Sequence, residues 1–356
     1  MGKICVLNVT HARVMSVSPP VLPPEIILAI IQYLIPADSA IFPANHPVTR
    51  TLYSLTVASQ TTHDLARPAL LDHCAYIDSS DKLRIFLSSN KTSNQETNNS
   101  YNHPSALYLA PALSPNTTPS LAAIQISTLF STHCKHLRRL LLDTTWTAFH
   151  NSPDTAPTLH LLSTALRDLP AIEEFISIQQ PKPPSRTEQN HLPGEIWSSW
   201  PRLRRLALYG VFLGRIFIEA VQRCPRLTHL VLGSPVGSLL PLPDETVRGV
   251  SWETLGLQSV VVVTPGQEGF WADARADSEL ARLGWRWSPL GRLAATLAED
   301  CAEEEMGEQR RFLGHVALSW DGVAQGLDPA IAWLRERALD GSIWERRGEV
   351  YKAGCR

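Results

Sequence analysis

Trp200-Pro201-Arg202-Leu203-Arg204-Arg205-Leu206-Ala207-Leu208 sets out a frame, L-x-x-L-x-L, often two residues after a proline, that the chain uses again and again. Cys224-Pro225-Arg226-Leu227-Thr228-His229-Leu230-Val231-Leu232 follows it. Cys134-Lys135-His136-Leu137-Arg138-Arg139-Leu140-Leu141-Leu142 and Leu169-Pro170-Ala171-Ile172-Glu173-Glu174-Phe175-Ile176-Ser177 come before it. Leu257-Gln258-Ser259-Val260-Val261-Val262 closes the series, and Ala106-Leu107-Tyr108-Leu109 reads as an earlier, degenerate strand. Alternating apolar residues mark the strand in each copy, and self-similarity along the chain marks a repeat. Apolar helical runs stand before several copies. Leu121, Ile124, Leu129 and Phe130 precede the first, Leu159, Leu162, Leu166 and Leu169 the second, and Ile216, Ile218, Ala220 and Val221 the fourth. Helix, turn and strand in recurrence predict an α/β fold with parallel strands. Each unit can bury its leucines only against its neighbour, so stacking is what stabilises the array.

That register points Leu137, Leu140 and Leu142 inward. The alternate residues Arg139, Leu141 and Asp143 fall on a concave face, together with Glu174, Arg205, Tyr209, His229 and Ser259. Arg139, Glu174, Arg205, Tyr209 and His229 are the candidate target-binding residues. The two arginines are suited to carboxylates or a phosphorylated peptide. The plainer expectation is that they are solvated strand residues salt-bridged to Glu174.

Ahead of the array lies Leu22-Pro23-Pro24-Glu25-Ile26-Ile27-Leu28-Ala29-Ile30-Ile31-Gln32-Tyr33-Leu34. Two prolines and an acid open a helix, and Ile27, Ile30, Ile31 and Leu34 form an i, i+3, i+4, i+7 stripe. Ile26 and Tyr33 place apolar surface on a second side, which a short helix needs only if one face packs at home and the other meets a partner. Pro36 ends the helix at Ile35. A second helix is expected from Leu52 through Leu55, Val57 and Ala58. A third starts at Thr61, where Asp64 completes a variant capping box, or at Pro68.

Leu22-Pro23-x-Glu25-Ile26-Ile27, Ile30, Leu34, then Leu52-x-x-Leu55-x-Val57 and the Arg67-Pro68 helix resemble an F-box over about residues 21–74. Gln60, Thr61 and Thr62 stand where that family carries a basic residue and a Trp. The resemblance implies that Leu22, Pro23, Glu25, Ile26, Ile27, Ile30, Leu34, Leu52, Leu55 and Val57 bind a Skp-type adaptor, and through it a cullin–RING ubiquitin ligase. The downstream array resembles irregular leucine-rich repeats, a common companion of the F-box, without the Asn or Cys often found after the strand. Together they imply a small three-helix module followed by a solenoid of short parallel strands and helices. The function implied is a substrate-recruiting ligase subunit with a protein target on the repeat surface. The alternative is a leucine-rich-repeat scaffold whose N-terminal helices merely cap the array, with no ligase role.

The expected organisation is a flexible tail over 1–20, a helical module over 21–75 and the array over 76–265. Disordered insertions interrupt the array near 88–105 and 179–193, and a Trp-rich, mainly helical cap covers 266–356. In that last part Asp328-Pro329-Ala330-Ile331-Ala332-Trp333-Leu334 is a capped helix with Gly341 beyond its end. Leu293, Leu297 and Phe312 suggest another, with Glu303, Glu304 and Glu305 on a wet face, and 316–320 reads as a strand. Trp271, Trp285, Trp287, Trp320, Trp333 and Trp344 are expected to cap the open end of the array or to anchor an interface.

Composition excludes more than it selects. The 356 residues carry a net charge of −2, which disfavours nucleic acid as the main partner. No apolar run reaches the ~18 residues of a membrane span, and 1–18 lacks the apolar core of a secretory signal. Six scattered cysteines without a C-x-x-C pair fit reduced thiols in the cytoplasm or nucleus. His133, Cys134 and His136 lack a second ligand pair, so no metal is expected and Cys134 reads as buried structural cysteine. No phosphate loop, H-E-x-x-H or G-x-S-x-G is present, so neither catalytic residues nor cofactors are expected.

Overall fold

The computed structural model describes residues 22–35, 40–89, 103–112, 118–144, 155–178, 196–211, 213, 215–235, 256–265, 312–318, 328–345 and 349–350. The tail over 1–20, the insertion over 179–193, most of that over 88–105, Leu293, Leu297, Glu303 to Glu305, Trp271, Trp285, Trp287 and Trp320 lie outside the described residues.

Three helices open the chain: α1 (Pro24–Leu34), α2 (Pro47–Ala58) and α3 (Gln60–His73). α1 begins on its prolines and ends at Leu34, one residue short of the expected Ile35, which caps it in extended backbone. α2 starts earlier than Leu52, because Pro47 takes the first helical position and the His46 ring accepts the Val48 N–H at 3.3 Å. α3 starts at neither expected residue. Ser59 caps it, and the Ser59 and Thr62 side chains satisfy each other's backbone N–H, so Pro68 lies within the helix.

The rest is an α/β layer. Its strands are β1 (Tyr76–Ser79), β2 (Ala106–Ala112), β3 (Arg139–Leu142), β4 (Glu174–Ser177), β5 (Arg205–Tyr209), β6 (His229–Gly233), β7 (Ser259–Pro265), β8 (Phe312–Leu318) and β9 (Glu349–Val350). Between them run α4 (Ser80–Ser89), α5 (Pro119–His133), α6 (Thr155–Arg167), α7 (Arg215–Gln222) and α8 (Pro329–Asp340). The strands form one sheet in chain order; β1 to β8 are parallel and β9 is antiparallel. The series therefore continues beyond Val262, and Phe312, expected in a helix, opens β8.

The sequence units lie side by side in exact alignment of their frames. Arg139 pairs with Glu174, Glu174 with Arg205, Arg205 with His229 and His229 with Ser259. At the starts of β3 to β7 one carbonyl of the preceding unit accepts two consecutive N–H groups. Arg138 O takes those of Glu173 and Glu174, Glu173 O those of Arg204 and Arg205, and Arg204 O those of Thr228 and His229. Just upstream, turns closed by Leu137 N–H to Cys134 O, Leu203 N–H to Trp200 O and Leu227 N–H to Cys224 O repeat as well. Pro201 and Pro225 occupy the position whose φ a proline presets in such a turn.

One sheet face carries Leu140, Leu142, Phe175, Leu206, Leu208, Leu230, Leu232, Val260 and Val262 against the inner sides of α4 to α7. Chain-order pairing puts each of these helices on that same face. The other face was expected to be open and concave, and it is not. Leu141, Ile176, Ala207, Tyr209, Val231 and Val261 are buried beneath Ile331, Leu334 and Ala338 of α8. Trp333 and Trp344 pack on this second face rather than at the end of the array. The strands accordingly read as near-continuous apolar runs, the mark of strands buried on both sides. α8 is bounded as its sequence indicates: the Asp328 carboxylate accepts the Ala330 N–H at 2.8 Å and Gly341 adopts φ 81°.

Candidate functional site

Two surfaces gather the sequence-derived candidates. The first belongs to the helical module. α1 and α2 pack on α3 around Ile27, Ile31, Phe42, Val48, Leu52 and Ala66. Ile27 is 6% exposed and Leu52 is fully buried, so these two candidate adaptor contacts instead hold the helices together. The helical phase turns them inward, where they cannot touch a partner. Leu34 and Leu55 are half-buried against the same core.

The remaining candidates face outward. Leu22, Pro23, Glu25, Ile26, Ile30 and Val57 are exposed, Ile30 at 43% and Val57 at 69%. Leu28, Tyr33 and Tyr53 join them, with Tyr33 at 92%. Ile26, Ile30 and Tyr33 follow i, i+4, i+7 spacing on α1, and Tyr53 and Val57 are an i, i+4 pair on α2. Single exposed apolar residues are ordinary; here they form a spaced row on α1 and a pair on α2, two helices that both pack on α3. A depression of 360 Å³ beside α2 is lined by Ala44, Thr49, Arg50, Tyr53, Ser54 and Leu70.

The module is fixed to the sheet. The extended segment 40–42 turns Ala40 and Phe42 into the helical core and Ile41 into the core beneath α8. Ile41 N–H donates to Leu339 O at 2.8 Å, Phe42 N–H to His73 O at 2.6 Å, and Tyr108 N–H to Ala75 O at 2.9 Å. The Ser105 hydroxyl bonds the Asp72 carboxylate. Burial pushes the Cys74 thiol up, against the weaker opposing pull of the Thr49 hydroxyl that donates to it.

The second surface is the row at the strand starts. Arg139 Nε donates to Glu174 Oε2 at 2.9 Å and Arg205 Nη1 to Glu174 Oε1 at 2.8 Å. Trp344 Nε1 adds a third bond at 3.2 Å, and the Arg205 guanidinium lies 5.9 Å from the Trp344 ring centre. The Arg139 and Glu174 side chains are each only 12% exposed. The salt-bridged arrangement is thus the one present. Tyr209 does not face a partner: it is buried under α8, its hydroxyl donates to Asp328 at 2.5 Å, and Ser234 donates to the same carboxylate at 2.8 Å. Burial first, and then the Asp328 bond, push its phenol above the ordinary range. His229 is half-buried with Nδ1 2.9 Å from the Thr228 hydroxyl.

Cys134 is fully buried, which pushes its thiol up. His133 lies edge-on to Phe86, and burial, then neighbouring His103, lower its pKa. Among the described residues no group of His, Cys, Asp and Glu is placed to hold a metal ion, and no helix is long and apolar enough to cross a membrane. The sequence reading missed Leu28 and Tyr53, whose exposure depends on helix phase, and Trp344, whose partner Glu174 lies far off in the chain. Compared with known proteins, the chain matches no family model and no curated sequence.

Proposed function

We propose that this protein is the substrate-recruiting subunit of a Skp–cullin–F-box type ubiquitin ligase. One observation carries the reading. α1 and α2 each bury one apolar side in the module core and leave other apolar residues in water, Ile26, Ile30 and Tyr33 on α1 and Tyr53 and Val57 on α2, with Leu22 exposed just ahead of them. Burying such residues on a Skp-type adaptor is worth ~25 cal/mol per Å² of apolar area, before the costs of association are subtracted. The F-box-like start Leu22-Pro23-x-Glu25-Ile26-Ile27 supports that choice of partner. The chain-order array of helix and parallel strand fits an irregular leucine-rich-repeat-like solenoid that holds a protein target. The chain itself performs no bond chemistry. It raises the effective concentration of the target near the ubiquitin-loaded enzyme, in the cytoplasm or nucleus, without nucleic acid, membrane or cofactor.

The test is co-purification of the full chain with a Skp-type adaptor. Ile26→Asp with Ile30→Asp is expected to abolish it, because both residues are exposed and neither fills the module core. Retention of the adaptor by the double variant contradicts the proposal. A second reading has its own support: the fixing of 40–42 and Ala75 onto the sheet is what a simple N-terminal cap of a scaffold would need. On that reading the double variant keeps every partner.

A further inference from the structure

The edge of the sheet where the strands start carries charge that the adaptor reading leaves unused. In each turn Cys134–Leu137, Trp200–Leu203 and Cys224–Leu227 the first and last residues are buried and the two central ones exposed. Lys135, Arg202 and Arg226 occupy those central positions. One residue ahead of the strands stand Arg138, Glu173 and Arg204, brought into line because Arg139, Glu174 and Arg205 pair in register. Lys135, Arg138, Arg202, Arg204 and Arg226 are all exposed, and none makes an ion pair or side-chain hydrogen bond among the described residues. A chain of net charge −2 has gathered exposed cations along one edge.

The cations form two groups. Lys135 and Arg138 lead into β3, and Arg202, Arg204 and Arg226 lead into β5 and β6. The unit between them, Pro170-Ala171-Ile172-Glu173, has no cation and one acid. Neighbouring strands lie ~4.8 Å apart, so the groups centre about 10 to 12 Å apart. A polyproline II segment brings residues i and i+3 onto one side at ~9 Å, and a β segment brings i and i+4 onto one side at ~13 Å. Those spans bracket the gap. A nucleic acid, with a phosphate at every nucleotide, would lay charge against Glu173.

We propose that this edge binds an extended acidic segment of a partner protein through two anionic side chains three to four residues apart. One anion sits on Lys135 and Arg138, the other on Arg202, Arg204 and Arg226. This deepens the ligase reading by naming where a target docks, and it rests on that reading only for the word target. Its test leaves the adaptor out, so the two fail separately.

The experiment is fluorescence anisotropy of the full chain with labelled neutral peptides carrying two glutamates. The pair is adjacent, three to four positions apart, or at twice that separation. Affinity is expected to peak at the middle spacing and to fall as salt rises. Arg204→Glu with Arg226→Glu is expected to weaken it about tenfold, since each reversal replaces an attraction by a repulsion. Replacing both glutamates by phosphoserine separates the two sources of the charge: tighter binding assigns a modified segment, equal binding an unmodified acidic one. No binding, binding indifferent to spacing, or tighter binding of an oligonucleotide of equal charge overturns the proposal.

Discussion

Glu174 holds two guanidinium groups in place at once. Arg139 and Arg205 precede and follow it in adjacent strands, and parallel register brings all three to one line. With Arg139 and Glu174 mostly shielded from solvent, removing the carboxylate takes a salt-bridge partner from each guanidinium. Glu174→Ala is therefore expected to lower unfolding stability by about 2 kcal/mol, read from urea denaturation. Ser177 gives the opposite sign. It is 2% exposed, pairs in register with Leu142 and Leu208, and its hydroxyl has no hydrogen-bond partner among the described residues. Ser177→Ala replaces that hydroxyl in a leucine row and is expected to raise the unfolding free energy read from urea denaturation by about 1 kcal/mol. Of the residues singled out from sequence, Glu174 and its arginines are where the pattern places them. Strand alternation fixes a side chain's row without long-range information. Helical candidates fared less evenly. Ile26 and Ile27 are consecutive and equally apolar, and only the packing of α1 on α3 decides that Ile27 goes inside.

α8 is the element whose role could not be read from its own residues. Its ends were legible, because an Asp cap, a first-turn proline and a left-handed glycine are local signals. Its position was not, because a helix far along the chain can cover either face or an end of a sheet with the same apolar stripe. The fit to β6 is close. A Cβ on Gly233 would come 2.5 Å from Leu334 Cδ1 and 3.1 Å from Tyr209 Cδ2. Gly233→Ala is expected to destabilise the protein by about 1 to 3 kcal/mol through overpacking. Leu334→Ala opens a cavity instead, at about 2 to 5 kcal/mol. Since the two act on one contact, the double variant is expected to cost clearly less than the sum; strict additivity would show that α8 does not rest on Gly233. Strands β3 to β7, by contrast, were legible from the recurring L-x-x-L-x-L frame. β1 and α4 were not singled out, since Tyr76 to Ser79 offers only one buried apolar residue, Ile77.

On the scale of the whole molecule, segment 40–42 joins the helical module to α8, which itself clasps the sheet. Tyr108 donates to Asp143 at 2.8 Å and Arg335 Nη2 donates to the same carboxylate at 3.1 Å. Ile41→Asp is expected to speed hydrogen exchange in α3 and α8 together, whereas a change confined to one of them would show that the segment does not couple them. The buried thiols give the chain an alkaline limit. Burial raises Cys224 from 9.0 to about 12, and Cys134, Tyr108 and Tyr209 shift the same way. A raised folded-state pKa contributes stability that is fully present below the unfolded value and lost as pH climbs through the folded one. The urea midpoint is thus expected to fall between pH 9.0 and about 12. The proposed division of surfaces, exposed apolar residues on α1 and α2 for an adaptor and the rest of the chain for a target, is tested most directly by hydrogen-exchange footprinting of the full chain with and without a Skp-type adaptor. Protection is expected over 22–34 and 47–58 with 329–340 unchanged. An absence of protection there, with or without complex formation, would contradict the assignment.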